Sequence, residues 1–211
     1  MASAPSIIRF LGLLPRSLQC CIAFHLTASC GGGGGEPGVV TEMARLNAMR
    51  AEANQLVEDF TPIEYTDLAT IPVTGGANYE GFISAELSDT TDDVTDTLIG
   101  QLHLNVSFDP GEMVTGQADN FLDDAGGALT GTLALSQGSL DRGGDPNVDA
   151  TFTFRGEGDL QDSNGRTLTL TTVFEGDFLE EDYSAVGGDV LGQVTVEGDD
   201  QTLGGLFIGR R

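Results

Sequence analysis

The apolar positions of the chain change their period near residue 79. Before that point they recur every three or four positions: Met43, Leu46, Met49, Ala53, Leu56 and Phe60 stand in TEMARLNAMRAEANQLVEDF, residues 41–60. Such spacing puts them on one face of a helix. An amphipathic helix is predicted over residues 41–61, with Thr41 as its N-cap and Thr61-Pro62 as its stop. It is expected to pack against the rest of the domain or over one mouth of it, and a face of this kind could also bind a partner.

From Tyr79 the period is two. Apolar residues alternate with Thr, Asp, Glu, Ser and Gly, and turn signals recur at short intervals. Eight strands are predicted, at about 79–87, 97–109, 113–123, 128–138, 150–160, 167–179, 187–197 and 202–210. Asp109-Pro110-Gly111-Glu112 has the Pro-Gly of a type II turn, Ser163-Asn164-Gly165 the Asn-Gly of a tight hairpin, and Gly198-Asp199-Asp200 a third short turn. Links this short join antiparallel neighbours.

One strand face is consistently apolar. It carries Leu102, Leu104, Val106 and Phe108, then Leu168, Leu170 and Phe174, then Val190, Val194 and Val196. The opposite face carries Gln101, His103, Asn105 and Ser107, then Thr167, Thr169, Thr171 and Glu175. A closed barrel buries such a face and leaves no free edge. The predicted fold is therefore all-β: an eight-stranded antiparallel up-and-down β-barrel over residues 72–211, preceded by the helix. A two-sheet sandwich has the same alternation. A barrel spanning a membrane would carry aromatic girdles. Trp is absent, Tyr occurs only at 65, 79 and 183, and the chain ends Gly209-Arg210-Arg211, so the apolar face is expected to point inward.

The N-terminal segment has a different character. Arg9 and Arg16 precede a short apolar run, CCIAFHLTAS, and no acid occurs before Glu36. This is the layout of an export signal, and the run is shorter than the roughly 20 residues a spanning helix needs. Leu26-Thr27-Ala28-Ser29-Cys30 resembles the bacterial lipobox. The resemblance implies cleavage after residue 29, a thioether-linked diacylglyceride on Cys30 and an acyl chain on its amine. Several chains anchor durably where one does not. Gly31, in place of an aspartate, favours the outer membrane. Residues 1–29 thus read as a lipoprotein signal peptide and 30–40 as the lipidated Cys and a Gly-rich tether.

Composition narrows the function. The chain has 33 acidic and nine basic residues, the latter all arginine, for a net charge of -24. Such a surface repels phosphate backbones, so nucleic acid is excluded as a partner. Cys20, Cys21 and Cys30 are the only cysteines, so the barrel has no disulfide, thiolate metal site or cysteine nucleophile. After cleavage His103 is the one remaining histidine, and its alternation with Leu102 and Leu104 points it outward. Nucleotide-binding and zinc-protease motifs are absent. Acids gather in predicted loops such as Asp89-Thr90-Thr91-Asp92-Asp93 and Asp123-Asp124, but without EF-hand spacing. No enzyme activity, cofactor or metal is expected.

Two stretches resemble the transferrin-binding-protein-like β-barrel domains of Gram-negative surface lipoproteins. Pro72-Val73-Thr74-Gly75-Gly76-Ala77-Asn78-Tyr79-Glu80-Gly81 is similar to the family's approach to its first strand. Phe174-Glu175-Gly176-Asp177-Phe178, Ala185-Val186-Gly187-Gly188-Asp189-Val190 and Gly205-Leu206-Phe207-Ile208-Gly209-Arg210 are similar to its closing strands. The resemblance covers residues 72–211. It implies a lipid-anchored barrel at the outer membrane, on the cell surface or the periplasmic face, that binds a ligand or partner protein, with a link to iron or haem acquisition. The large receptors of the family pair two barrels with two handle domains; this chain has room for one barrel and one helix.

The alternative is a lipocalin-like carrier of a small apolar ligand. An eight-stranded barrel holds either its own side chains or one such ligand. Whether the barrel is filled depends on large residues such as Phe82, Phe108, Phe152, Phe154, Phe174 and Phe207: rings pointing mostly inward weaken the carrier reading.

Overall fold

The computed structural model of the protein describes residues 37–211 apart from Asp92 and Glu112. A helix, α1 (Pro37–Asp59), comes first, followed by a 3₁₀ turn (Leu68–Thr70). Nine strands complete the chain: β1 (Gly76–Ser88), β2 (Val94–Ser107), β3 (Met113–Leu122), β4 (Thr130–Gly131), β5 (Leu133–Leu140), β6 (Phe152–Gln161), β7 (Thr167–Leu179), β8 (Ala185–Val196) and β9 (Asp199–Arg210).

The strands form one closed antiparallel barrel. The two-residue β4 pairs with β6 and extends the line of β5; the other strands pair in chain order, β3 with β5, and β9 returns to pair with β1. The barrel therefore has eight staves, as the alternation predicts, and the sandwich does not form. The strands lie close to the predicted spans and several run longer.

Closure gives the alternating apolar residues an inside. Tyr79, Ile83, Ala85 and Leu87 of β1, Leu98, Leu102, Leu104 and Val106 of β2, and Phe174 and Phe178 of β7 belong to one buried cluster. Five phenylalanines fill its middle. Phe154 stacks on Phe174 with ring centroids 4.4 Å apart, and Phe207 meets both edge-on at 5.7 Å. Phe152 lies 4.9 Å from Phe178. Rings of this size fit because glycine stands opposite them: a Cβ on Gly176 would come within 2.4 Å of the Phe207 ring.

The turns refine three expectations. Val196 pairs directly with Asp199, so the last hairpin turns at Glu197-Gly198, both with positive φ (53° and 98°), the two-residue form that matches strand twist. Asp199 and Asp200 are strand residues, not turn residues. In the β6–β7 loop only Gly165 takes a positive φ (85°). A turn bond from Gly165 N to Asp162 O (3.0 Å) gives a three-residue loop in place of the tight Asn-Gly hairpin. Gly111, at φ 105°, occupies the position a type II turn reserves for glycine.

The helix is described from Pro37, so Thr41 lies within it and not at its N-cap position. A proline suits a first helical turn, where its missing N–H has no partner to lose. The helix thereby takes in residues 37–40 of the predicted tether. Its end follows the sequence: the Thr61 hydroxyl donates to Val57 O (2.6 Å), and Pro62 follows.

The helix lies on the outer wall and not over a mouth. Leu46, Met49 and Leu56 form a second buried cluster with Phe82, Ile99, Leu122 and Ile208. Phe82, Ile99 and Ile208 are one residue out of phase with the inward Ile83, Leu98 and Phe207, so they point outward on the adjacent strands β1, β2 and β9. Leu122 reaches this wall through a bulge in β3. The pairing slips between Ile99 and Gln101, and Asn120 takes φ 56°, a left-handed conformation asparagine tolerates well. The bulge swings Phe121 inward over Gly100 and Leu122 outward under the helix. Arg45 on the helix donates to Asn120 O (3.1 Å), tying the two together.

Candidate functional site

The barrel interior is the first place a ligand could sit, and side chains occupy it. Of the six phenylalanines that decide the matter, Phe108, Phe152, Phe154, Phe174 and Phe207 lie in the inner cluster and only Phe82 faces out.

One mouth is closed by the segment between helix and barrel. Ile71 is buried in the inner cluster and Leu68 packs against it. Arg142, from the β5–β6 loop, donates to Ile71 O (3.1 Å) and Pro72 O (2.6 Å), and its guanidinium lies 6.0 Å from the Phe108 ring centre. The Tyr79 hydroxyl donates to Tyr183 O (2.9 Å) beneath this cover, and burial pushes its phenol up.

The opposite mouth carries three loops built alike around an aspartate. Asp123 Oδ1 accepts from Ala125 N and Gly127 N (3.0 and 2.6 Å). Asp162 Oδ1 accepts from Asn164 N and Arg166 N (2.8 and 2.9 Å), and Asp89 Oδ1 from Thr91 N and Asp93 N (2.8 and 3.3 Å). These carboxylates hold their own loops in shape. Hydrogen bonds from Thr91 hold the Asp89 carboxyl below its ordinary range. Arg166 pairs with Asp162 (3.2 Å) and Asp96 (3.7 Å). Burial, with Asp124 and Asp123 nearby, pushes the Asp96 carboxyl up. Among the described residues no group of three or more His, Cys, Asp or Glu is placed to hold a metal ion.

A shallow groove of about 120 Å³ runs between helix and wall. Glu52 and Leu56 line it from the helix, and Glu80, Gln101, His103 and Arg210 from the barrel. Register produces the polar row: Glu80 stands opposite His103 on one side and Arg210 on the other. His103 faces outward as its alternation requires, 4.0 Å from Asp119. The lining contains no Ser, Thr, Cys or Lys beside the imidazole, so the groove offers hydrogen bonds and charge without a nucleophile–base pair.

Sequence reasoning missed this groove and the closed mouth. The available signal was local: Phe82-Ile83, Leu98-Ile99 and Phe207-Ile208 are consecutive apolar pairs in strands that otherwise alternate. Such a pair means a strand buried on both faces. Cys30 and the predicted signal segment lie outside the described residues. No described helix is long and apolar enough to cross a membrane.

No family model matches the chain, and neither a curated relative nor a solved structure matches it.

Proposed function

We propose that the protein is a lipid-anchored binding module, held at the outer membrane through Cys30, which meets a partner protein or ligand with its outer surface and loops. The observation that carries the surface-binding part of this reading is the packed interior, where Phe152, Phe154, Phe174, Phe178 and Phe207 occupy the space a carrier keeps for its ligand. The anchor rests on the lipobox at Leu26–Cys30 and the glycine run after it. The transferrin-binding-protein-like reading rests on the Gly and aromatic punctuation of residues 72–81 and 174–210, and with it stands the link to iron or haem acquisition. The closed barrel is in keeping with that resemblance.

Titration of the full chain with haem and with a fluorescent fatty acid separates this reading from the lipocalin-like carrier. The expected outcome is no saturable one-to-one binding of either probe inside the barrel. Saturable fatty-acid binding abolished by a cavity-blocking change such as Ala85→Phe would establish the carrier instead. Haem binding insensitive to that change but lost on altering a groove residue would place haem on the outer wall.

A further inference from the structure

The segment that closes the mouth is fastened differently from the barrel. The staves of the barrel are joined by ladders of three or more residue pairs. The strap, residues 61–75, meets β7 at a single bridge, Tyr65 with Leu179. Around it Thr66 N donates to Phe178 O (3.0 Å), Glu180 N donates to Glu64 O (2.8 Å), and the Thr66 hydroxyl donates to Glu180 O. Few bonds of this kind open at lower cost than a ladder.

Beneath this fastening lies a carboxyl group. Asp177 is in phase with Val173 and Glu175 on the outer face of β7, where carboxylates are normally hydrated. It is nevertheless only 7% exposed. Its Oδ1 accepts from Thr151 N (3.0 Å). The titratable groups around it are Tyr65 from the strap, Asp189 from β8 and Glu175 on its own strand, with Glu64 and Glu180 at the fastening. Tyr65 bridges to Leu179, two positions from Asp177 along the same face of β7, and burial and then the charges of Asp177 and Asp189 push its phenol up.

We propose that the strap is a pH-controlled latch, closed over the mouth while Asp177 is protonated and lifting from β7 when that carboxyl ionises beside Asp189. With the strap closed, an ionised Asp177 stays out of water; with the strap lifted, it is hydrated. The two states therefore differ in proton affinity. Burial pushes the closed-state carboxyl up from 3.8 to about 6, against the bond from Thr151 and with a further push from Asp189. The closed state thus binds the proton more tightly. Its advantage is complete below about pH 4, declines as pH rises through the window to 6, and is lost above it. A two-unit difference changes the closed-to-open ratio by about a hundredfold. Lifting uncovers the seat of Ile71 in the inner cluster.

Hydrogen exchange of the full chain between pH 4 and 8, corrected for the intrinsic pH dependence of exchange, reads this directly. Protection of the Thr66, Ile71 and Glu180 amides is expected to fall about a hundredfold and level off above pH 6, while β1–β2 amides stay constant. In Asp177→Asn, which keeps the acceptor for Thr151, strap protection is expected to be flat. Strap protection that is independent of pH in the unaltered chain, or that falls equally in the variant, overturns the latch. Should the variant not fold, the carboxyl-carbon resonance of Asp177 in the unaltered chain decides. A midpoint near 6 shared with the strap amides supports the latch, and an ordinary midpoint near 4 contradicts it.

Discussion

Gly81→Val is expected to unfold or open the barrel. Gly81 lies on the inner face of β1, opposite Gly209 of β9 and Leu102 of β2. A Cβ there would sit 1.9 Å from Ile208 O and 2.5 Å from the Gly209 Cα. Both are backbone atoms held in the ladder, so no side chain can rotate away. Relief requires β1 and β9 to part, and theirs is the seam where the last strand meets the first. The expected cost is about 3 kcal/mol or more, a large share of a stability on the order of 10 kcal/mol. Gly204→Val, on the β9 side of the same seam, is the control: a Cβ there meets nothing within 4 Å. Urea denaturation followed by circular dichroism should show a large loss for the first variant and a change within about 0.5 kcal/mol for the second. Equal effects would mean that the strands do not approach as described.

The second large effect belongs to the helix. Leu46 is fully buried against the outer wall and Leu56 nearly so. Truncating Leu46 to alanine is expected to cost roughly 2–4 kcal/mol through lost burial and the cavity left behind. In Leu46→Ala/Leu56→Ala the helix loses two of its main anchors. Its circular dichroism signal should then melt before the barrel does. The exposed Phe82, Ile99 and Ile208 should also make the protein self-associate on gel filtration. A double variant that melts in one step at an unchanged temperature would show that the helix contributes nothing to the domain.

The barrel was legible because closure imposes one rule on every strand. Residues pointing inward are mainly apolar or glycine, with Thr172, whose hydroxyl donates to Gly156 O (3.1 Å), as an exception, and alternation records this along the strands from Tyr79 to Phe207. What lies outside the barrel left weaker marks. The helix face was plain from Leu46, Met49 and Leu56, but its docking place was written only in three out-of-phase residues, Phe82, Ile99 and Ile208. The bulge at Asn120 was hidden because its effect is to move Phe121 in and Leu122 out, and in sequence that looks like an uninterrupted apolar pair. Turn chemistry was read correctly at Gly111. It was misplaced at Glu197-Gly198, where a glutamate takes a positive φ that its residue type does not advertise. Arg142 and Asp177 engage partners distant in sequence, Ile71 and Thr151, and no local pattern announces such contacts. The acidic loops read in sequence as clusters without the spacing of an ion site; their local role was not legible, and the structure engages the Asp89, Asp123 and Asp162 carboxylates with their own loop backbones.

In the proposed function, a packed barrel is held to a membrane through Cys30 as its first mature residue. Mass spectrometry of the mature protein, purified from native membranes, tests that attachment. The prediction is an N-terminal peptide beginning at Cys30, carrying a diacylglyceryl group on sulfur and an acyl chain on its amine, with residues 1–29 absent. A mature chain that retains residues 1–29, or that carries Cys30 as a free thiol, would contradict it.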